Sequence, residues 1–170
     1  DITDPEIFND DGTSADDVVL WEFTQATFED LGYTYSRPTI ALLNDGRWAA
    51  ITGNGDAPDG LDGSLLILYL EGGIDDWSEG SVDDYIVIPT NNIGGLSSPT
   101  VIDTDGDGDA DRVYVGDTEG NLWVFDLSSS DPDDWKDEAT LLFDNDRPQP
   151  ITVKPTVVRH PTVPYDESSN

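Results

Sequence analysis

The stretches "GSLLILYL" (63–70) and "GNLWVFDL" (120–127) align without a gap. The first is apolar at every position from Leu65 to Leu70, so neither face of that strand can look into water. A run this short and rich in strand-forming residues, bounded by turn signals, predicts an inner strand covered on both sides.

Outward from this pair the same order of parts repeats. "RPTIALL" begins at Arg37, "SPTVIDT" at Ser98 and "KPTVVRH" at Lys154, and "DDW" at 75–77 returns at 133–135. Strand-like runs fall at 38–43, 47–53, 64–70 and 85–89, and again at 99–103, 112–117, 121–127 and 139–144, with "NDG", "NGDAPDG", "EGG" and "TEGN" as turn-forming separators. Tandem four-stranded units of about 50 residues are the pattern of a β-propeller. The expected fold class is all-β, a β-propeller of four-stranded antiparallel blades. One blade spans 38–89 and a second spans 99–144. Residues 18–23 are expected to be the last strand of a preceding blade, and 154–160 the first strand of a following one.

A propeller ring closes with about four to eight blades. Two blades and two flanking strands therefore predict a partial propeller: a fragment of a larger ring, or a chain whose sheet edges are completed by other copies. The sequence starts at Asp1 and not at Met, which fits a processed form or an excised piece.

Composition narrows the partners. The chain of 170 residues carries 37 Asp plus Glu against seven Lys plus Arg, a formal net charge of −30 at pH 7. Such a surface repels a phosphate backbone, so nucleic acid is not an expected partner. There is no Cys and no Met, which excludes a disulfide framework and a thiolate metal site. No apolar run reaches the roughly 18 residues of a membrane-spanning helix.

The charge is densest in "VIDTDGDGDADRVYVGD" (101–117), where Asp103, Asp105, Asp107, Asp109 and Asp111 alternate before an apolar run. With Asp103 as position 1, carboxylates stand at 1, 3, 5, 7 and 9 and Gly108 at 6, the register of a calcium loop in which position 7 gives its backbone carbonyl. Asp103, Asp105, Asp107 and Asp111 are the expected side-chain ligands, with the carbonyl of Asp109. Position 12 is Tyr114 inside a strand-like run, which excludes the helix-flanked EF-hand with its terminal Glu. Neighbouring carboxylates repel by about 1 kcal/mol per pair even in bulk water, so a cation is needed to hold the loop together. The acidic stretches 9–17 and 54–63 lack the alternation and read as solvated turns.

Three segments, "LWEFTQATFEDLGYTYSRPTIALLNDGRWAAITGNG", "GLSSPTVIDTDGDGDADRVYVGDTEGNLWVFDLS" and "RPQPITVKPTVVRHP", closely resemble the C-terminal β-propeller of the PilC/PilY family, the tip-associated adhesins and biogenesis factors of bacterial type IV pili. The likeness runs from about Leu20 to Pro161. It implies a modified propeller with a Ca2+ loop in one blade, ligated at Asp103, Asp105, Asp107, Asp109 and Asp111, with calcium occupancy linked to pilus extension and retraction. It also implies an extracellular place at the cell surface or pilus tip, a role in adhesion, and minor pilins as partners. The sequence departs from the family in having "GNGDAPDG" where the family reads "GNGYN", and no Arg-Gly-Asp tripeptide occurs. The family's variable N-terminal adhesive region is absent from this stretch.

Two alternatives stay open. An FG-GAP or integrin-like surface repeat would also carry aspartate-rich loops, but would repeat them, and the matching place in the first unit is "LLNDGRWAA". A quinoprotein-like propeller enzyme would need a catalytic base, and the single His160 lies in the terminal "VVRHP" with no nucleophile to pair with. No enzymatic activity is expected. Trp77 and Trp135 recur at matching positions, which favours packing between blades over sugar stacking.

Overall fold

The computed structural model describes residues 19, 21–56, 60–74, 77–78, 84–137, 139–145 and 149–160. The first sheet consists of β1 (Thr39–Leu42), β2 (Trp48–Gly53), β3 (Asp62–Tyr69) and β4 (Tyr85–Ile93). The second consists of β5 (Thr100–Ile102), β6 (Arg112–Gly116), β7 (Leu122–Asp126) and β8 (Ala139–Phe143). Each sheet is a meander in chain order with every neighbouring pair antiparallel. This is the all-β, partial β-propeller expected from the repeats.

The unbroken apolar run of β3 is explained by its two faces. Side chains alternate along a strand, so Leu65, Ile67 and Tyr69 enter one cluster with Val113, Val115, Trp123 and Phe125 of the second sheet. Leu66 and Leu68 enter another, with Leu31, Phe23 and Phe28 from the segment before β1. The first blade is thus sandwiched, with the second blade on one side and residues 21–31 on the other.

Trp135 sits in a short 3₁₀ helix, Pro132–Asp137, between β7 and β8. Pro132 supplies the preset φ of a first helical position, and Asp131 caps the turn by accepting from the Asp133 amide at 3.0 Å. The helix places the indole fully inside the inter-blade cluster, where its Nε1 donates to the Ser129 carbonyl at 2.9 Å. Trp77, its counterpart in the first blade, packs edge-on against Trp21, Phe23 and Tyr85. Both tryptophans therefore hold a blade to what lies beside it, as their recurrence suggested.

A second repeated feature is a close approach of backbones at the ends of β2 and β6. A Cβ on Gly53 would lie 2.3 Å from the Leu96 carbonyl oxygen, and one on Gly116 would lie 2.3 Å from Cγ2 of Ile151. In each blade the returning chain crosses the strand where only glycine leaves room. The crossing of the second blade is fastened by the Ile151 amide donating to the Asp117 carbonyl at 2.9 Å.

Among the described residues, neither 21–23 nor 154–160 pairs in a sheet. Both lie beside the two blades: Trp77 Nε1 donates to the Glu22 carbonyl at 2.7 Å, and the Thr100 hydroxyl donates to the Pro155 carbonyl. Their assignment to a preceding and a following blade is a proposal about blades beyond this stretch. Residues 18 and 20 lie outside the described residues.

Candidate metal centre

The aspartate loop is the connection between β5 and β6. Its neck is closed by the strand pair Ile102 and Arg112 and by the Asp111 amide donating to the Ile102 carbonyl at 3.0 Å. Inside the neck the chain folds onto its own carboxylates. Asp103 accepts from the amides of Gly106 at 2.6 Å and Gly108 at 2.9 Å, Asp105 from Asp107 at 3.1 Å, and Asp107 from Asp109 at 2.9 Å. Gly108 takes φ 104°, a region that side-chain-bearing residues avoid, and this lets the turn close.

Asp111 is the anchor. It is only 4% exposed, and one carboxylate oxygen accepts from both the amide and the hydroxyl of Thr104 at 2.6 Å. The other accepts from Nδ2 of Asn44 at 3.2 Å. Asn44 belongs to the β1–β2 turn of the other blade. Burial alone would raise the Asp111 carboxyl, but hydrogen bonds from Thr104, Asn44 and the Asp105 amide outweigh it and hold its pKa below the usual carboxylate value.

The exposed part of the loop carries the opposite imbalance. A hydrogen bond from the Asp107 amide pulls the Asp105 carboxyl down, yet partial desolvation and the charges of Asp107, Asp111 and Asp103 outweigh it, and its pKa is raised. Asp109 is raised as well, by desolvation first and then by Asp107, Asp111 and Asp103. These are anions crowded against one another.

Of the five aspartates, the fold brings three together: one carboxylate oxygen each from Asp103, Asp105 and Asp111 lie within 4.8 Å of one another. Calcium holds its oxygens at about 2.3–2.6 Å, so ligands sharing one ion stand no more than about 5 Å apart, and the triad fits. Hard, anionic oxygens alone make up the set, which suits calcium or magnesium over the softer transition metals. The Asp107 and Asp109 carboxylates lie outside this triad.

Asn44 and Thr104 were not singled out from the sequence. Thr104 lies within the loop, and its hydroxyl one position after Asp103 was a usable signal. Asn44 read only as part of the turn "NDG", and its reach into the other blade is a tertiary fact.

Asp117 is a different kind of carboxylate. It is 1% exposed and accepts from the amides of Glu119 and Asn121, from Asn121 Nδ2 and from Trp123 Nε1, all at 2.8–2.9 Å. These donors come from the β6–β7 turn and the start of β7, so Asp117 braces that turn. His160 is exposed at the end of the described chain. The acidic stretch 9–17 lies outside the described residues.

Comparison with known proteins covers nearly the whole chain. The family model described as the PilY1 beta-propeller domain matches residues 14–165. The type IV pilus biogenesis factor PilY1 of Pseudomonas aeruginosa (strain UCBPP-PA14) is 35% identical over 185 residues, covering 92% of this chain and 15% of that protein. A PilY1 homolog of Xylella fastidiosa (strain Temecula1) is 39% identical over 141 residues, covering 79% of this chain and 9% of the homolog. The crystal structure of the Pseudomonas aeruginosa PilY1 C-terminal domain superimposes with a TM-score of 0.62 at 34% identity, covering 84% of this chain and 33% of that one. The chain thus spans 15% or less of these two relatives and a third of the solved domain.

Proposed function

The chain belongs to the PilY1 β-propeller family, and from that premise we propose that it is a calcium-binding propeller segment of a protein that supports type IV pilus biogenesis. The observation that carries the calcium reading is the triad of Asp103, Asp105 and Asp111, three carboxylates within 4.8 Å in a loop whose backbone is already folded around them. Asp107 and the Asp109 carbonyl complete the ligand set by their places in the loop register. Calcium there supplies the positive charge that the crowded carboxylates lack.

The residues of the chain do the rest. Thr104 and Asn44 orient Asp111, Gly108 permits the turn, and the β5–β6 neck fixes the two ends of the loop. The ion thereby decides whether one corner of the second blade is ordered. In the whole protein, placed at the cell surface or pilus tip, that corner and the adjoining blades meet pilus components, minor pilins among them, and calcium occupancy biases extension against retraction. Adhesion belongs to the same reading. The relatives' names describe biogenesis factors and not enzymes, and a scaffold role needs no catalytic group.

The test is calorimetric titration of the protein with calcium beside an Asp103→Ala variant, followed by pilus retraction in cells carrying either form. A calcium heat that the variant loses, together with altered retraction, supports the proposal. A titration without heat in the parent protein overturns it.

A further inference from the structure

The loop does not end at its own blade. Nδ2 of Asn44, in the β1–β2 turn, donates to the Ala110 carbonyl at 3.1 Å, to Asp111 Oδ1 at 3.2 Å and to the Leu127 carbonyl at 3.0 Å. One amide group from the first blade therefore touches the last residues of the loop and the end of β7. Beside it the Ala110 amide donates to the Leu42 carbonyl at 2.8 Å, and Leu43 and Ala110 form an isolated parallel bridge.

The turn that carries Asn44 is itself anchored. Its next residue, Asp45, accepts from the Tyr69 hydroxyl at 2.8 Å and from the Arg47 amide at 3.0 Å, and the Arg47 guanidinium stacks 3.3 Å above the Tyr69 ring. Tyr69 is fully buried between the blades. A displacement of Asp111 is thus felt through Asn44 by a turn pinned to the inter-blade core.

We infer that Asn44 is a positioning residue that makes ion binding by the loop of the second blade a clamp on the first. The inference rests on the calcium reading above and extends it from ligation to regulation. A carboxylate offers about four acceptor positions. The Thr104 amide and hydroxyl, Asn44 and the Asp105 amide all donate to Asp111, so an ion that binds its carboxylate shares these oxygens and meets Asn44 directly through Oδ1. When the ion fixes Asp111, the Asn44 contact is fixed with it, and the seam between Leu43 and Ala110 tightens. Coupling between two equilibria is reciprocal. Any partner or strain that draws the β1–β2 turn away from the loop therefore weakens calcium binding.

Hydrogen–deuterium exchange on the full chain, with calcium and with chelator, tests the inference. In the parent protein calcium is expected to slow exchange both in 103–111 and in 42–47. In Asn44→Ala calcium still protects the loop, its affinity falls about tenfold as for other residues that orient a ligand, and the added protection of 42–47 is lost. Asn44→Leu, close in size and without donor or charge, serves if the alanine variant does not fold. Calcium protection of 42–47 that is unchanged in these variants, or missing from the parent while the loop responds, overturns the inference and leaves the calcium reading standing. A loop that ignores calcium in the parent overturns both.

Discussion

The hydroxyl of Thr39 donates to the carbonyl of Pro99 at 3.4 Å, and in the next repeat the hydroxyl of Thr100 donates to the carbonyl of Pro155. Each Pro-Thr dipeptide is therefore tied to the following one. The same link joins β1 to the start of the second blade and β5 to residues 154–160. One short motif, repeated in the sequence, sets how successive units sit beside each other.

Thr100→Val keeps the shape of the side chain and removes the donor, and Thr100 is nearly buried. A hydrogen bond of this kind contributes about 1 kcal/mol net. The variant is expected to lose about that much stability and to exchange amides faster at 151–158, read by denaturant unfolding and hydrogen exchange. An unchanged exchange pattern there would show that the link does not hold the terminal segment.

Strand existence and sheet order were legible because aliphatic and aromatic runs repeat between turn residues, and the loop was legible because all its carboxylates are local in sequence. What needed tertiary structure was less so. β4 was expected to stop at Pro89 and continues to Ile93, because a register shift between Asp62 and Ser64 lets Asp62 pair with Ile93. The 3₁₀ helix that delivers Trp135 was not expected from the recurring "DDW", which marked a repeated position and no local conformation. Asn44 has no local signal at all, since its partners Ala110, Asp111 and Leu127 are far along the chain.

Calcium removal should act on stability through the loop. At a hundredfold excess over its dissociation constant a bound ion adds about 2.7 kcal/mol. Chelator is therefore expected to lower the melting temperature and to open residues 103–111 to proteolysis, with Asp111→Ala abolishing the calcium-dependent part. A melting curve indifferent to chelator would count against an ion in the loop.

The pKa shifts give a sign for pH. Asp105 and Asp109 are raised in the folded chain, so their contribution to stability is present below their unfolded pKa and is lost as pH rises through the folded value. Asp111 is lowered, so its contribution is present above the unfolded pKa and disappears as pH falls through the folded one. Protons and calcium are thus expected to compete for the Asp105 carboxylate, while a proton on Asp109, whose carbonyl is the proposed ligand, lowers only the charge of the loop. Acidification from neutrality towards about pH 4, the ordinary carboxylate range, is expected to weaken calcium binding steadily. Without calcium, the first protons taken up by Asp105 and Asp109 relieve the loop, and the stabilising contribution of Asp111 is lost only at lower pH. Calcium titrations across this range check both signs, and a calcium affinity that does not change on acidification contradicts them.

The crossing at the end of β6 yields a packing test. A methyl group on Gly116 would meet Ile151 Cγ2 at 2.3 Å, Cβ at 2.5 Å and the carbonyl oxygen at 2.8 Å. The first contact belongs to a side chain that can be shortened, whereas the Cβ and the carbonyl oxygen remain in an alanine and must move. Gly116→Ala is expected to cost about 1–3 kcal/mol, the range for overfilled cores. Ile151→Ala in the same chain removes the Cγ2 contact but not the clash with the Ile151 Cβ and carbonyl oxygen, so the double variant should recover part of the loss. The coupling is read from a double-mutant cycle in denaturant. Strict additivity would mean that residue 151 does not lie over Gly116, and the repeated crossing that seats one unit against the next would lose its support.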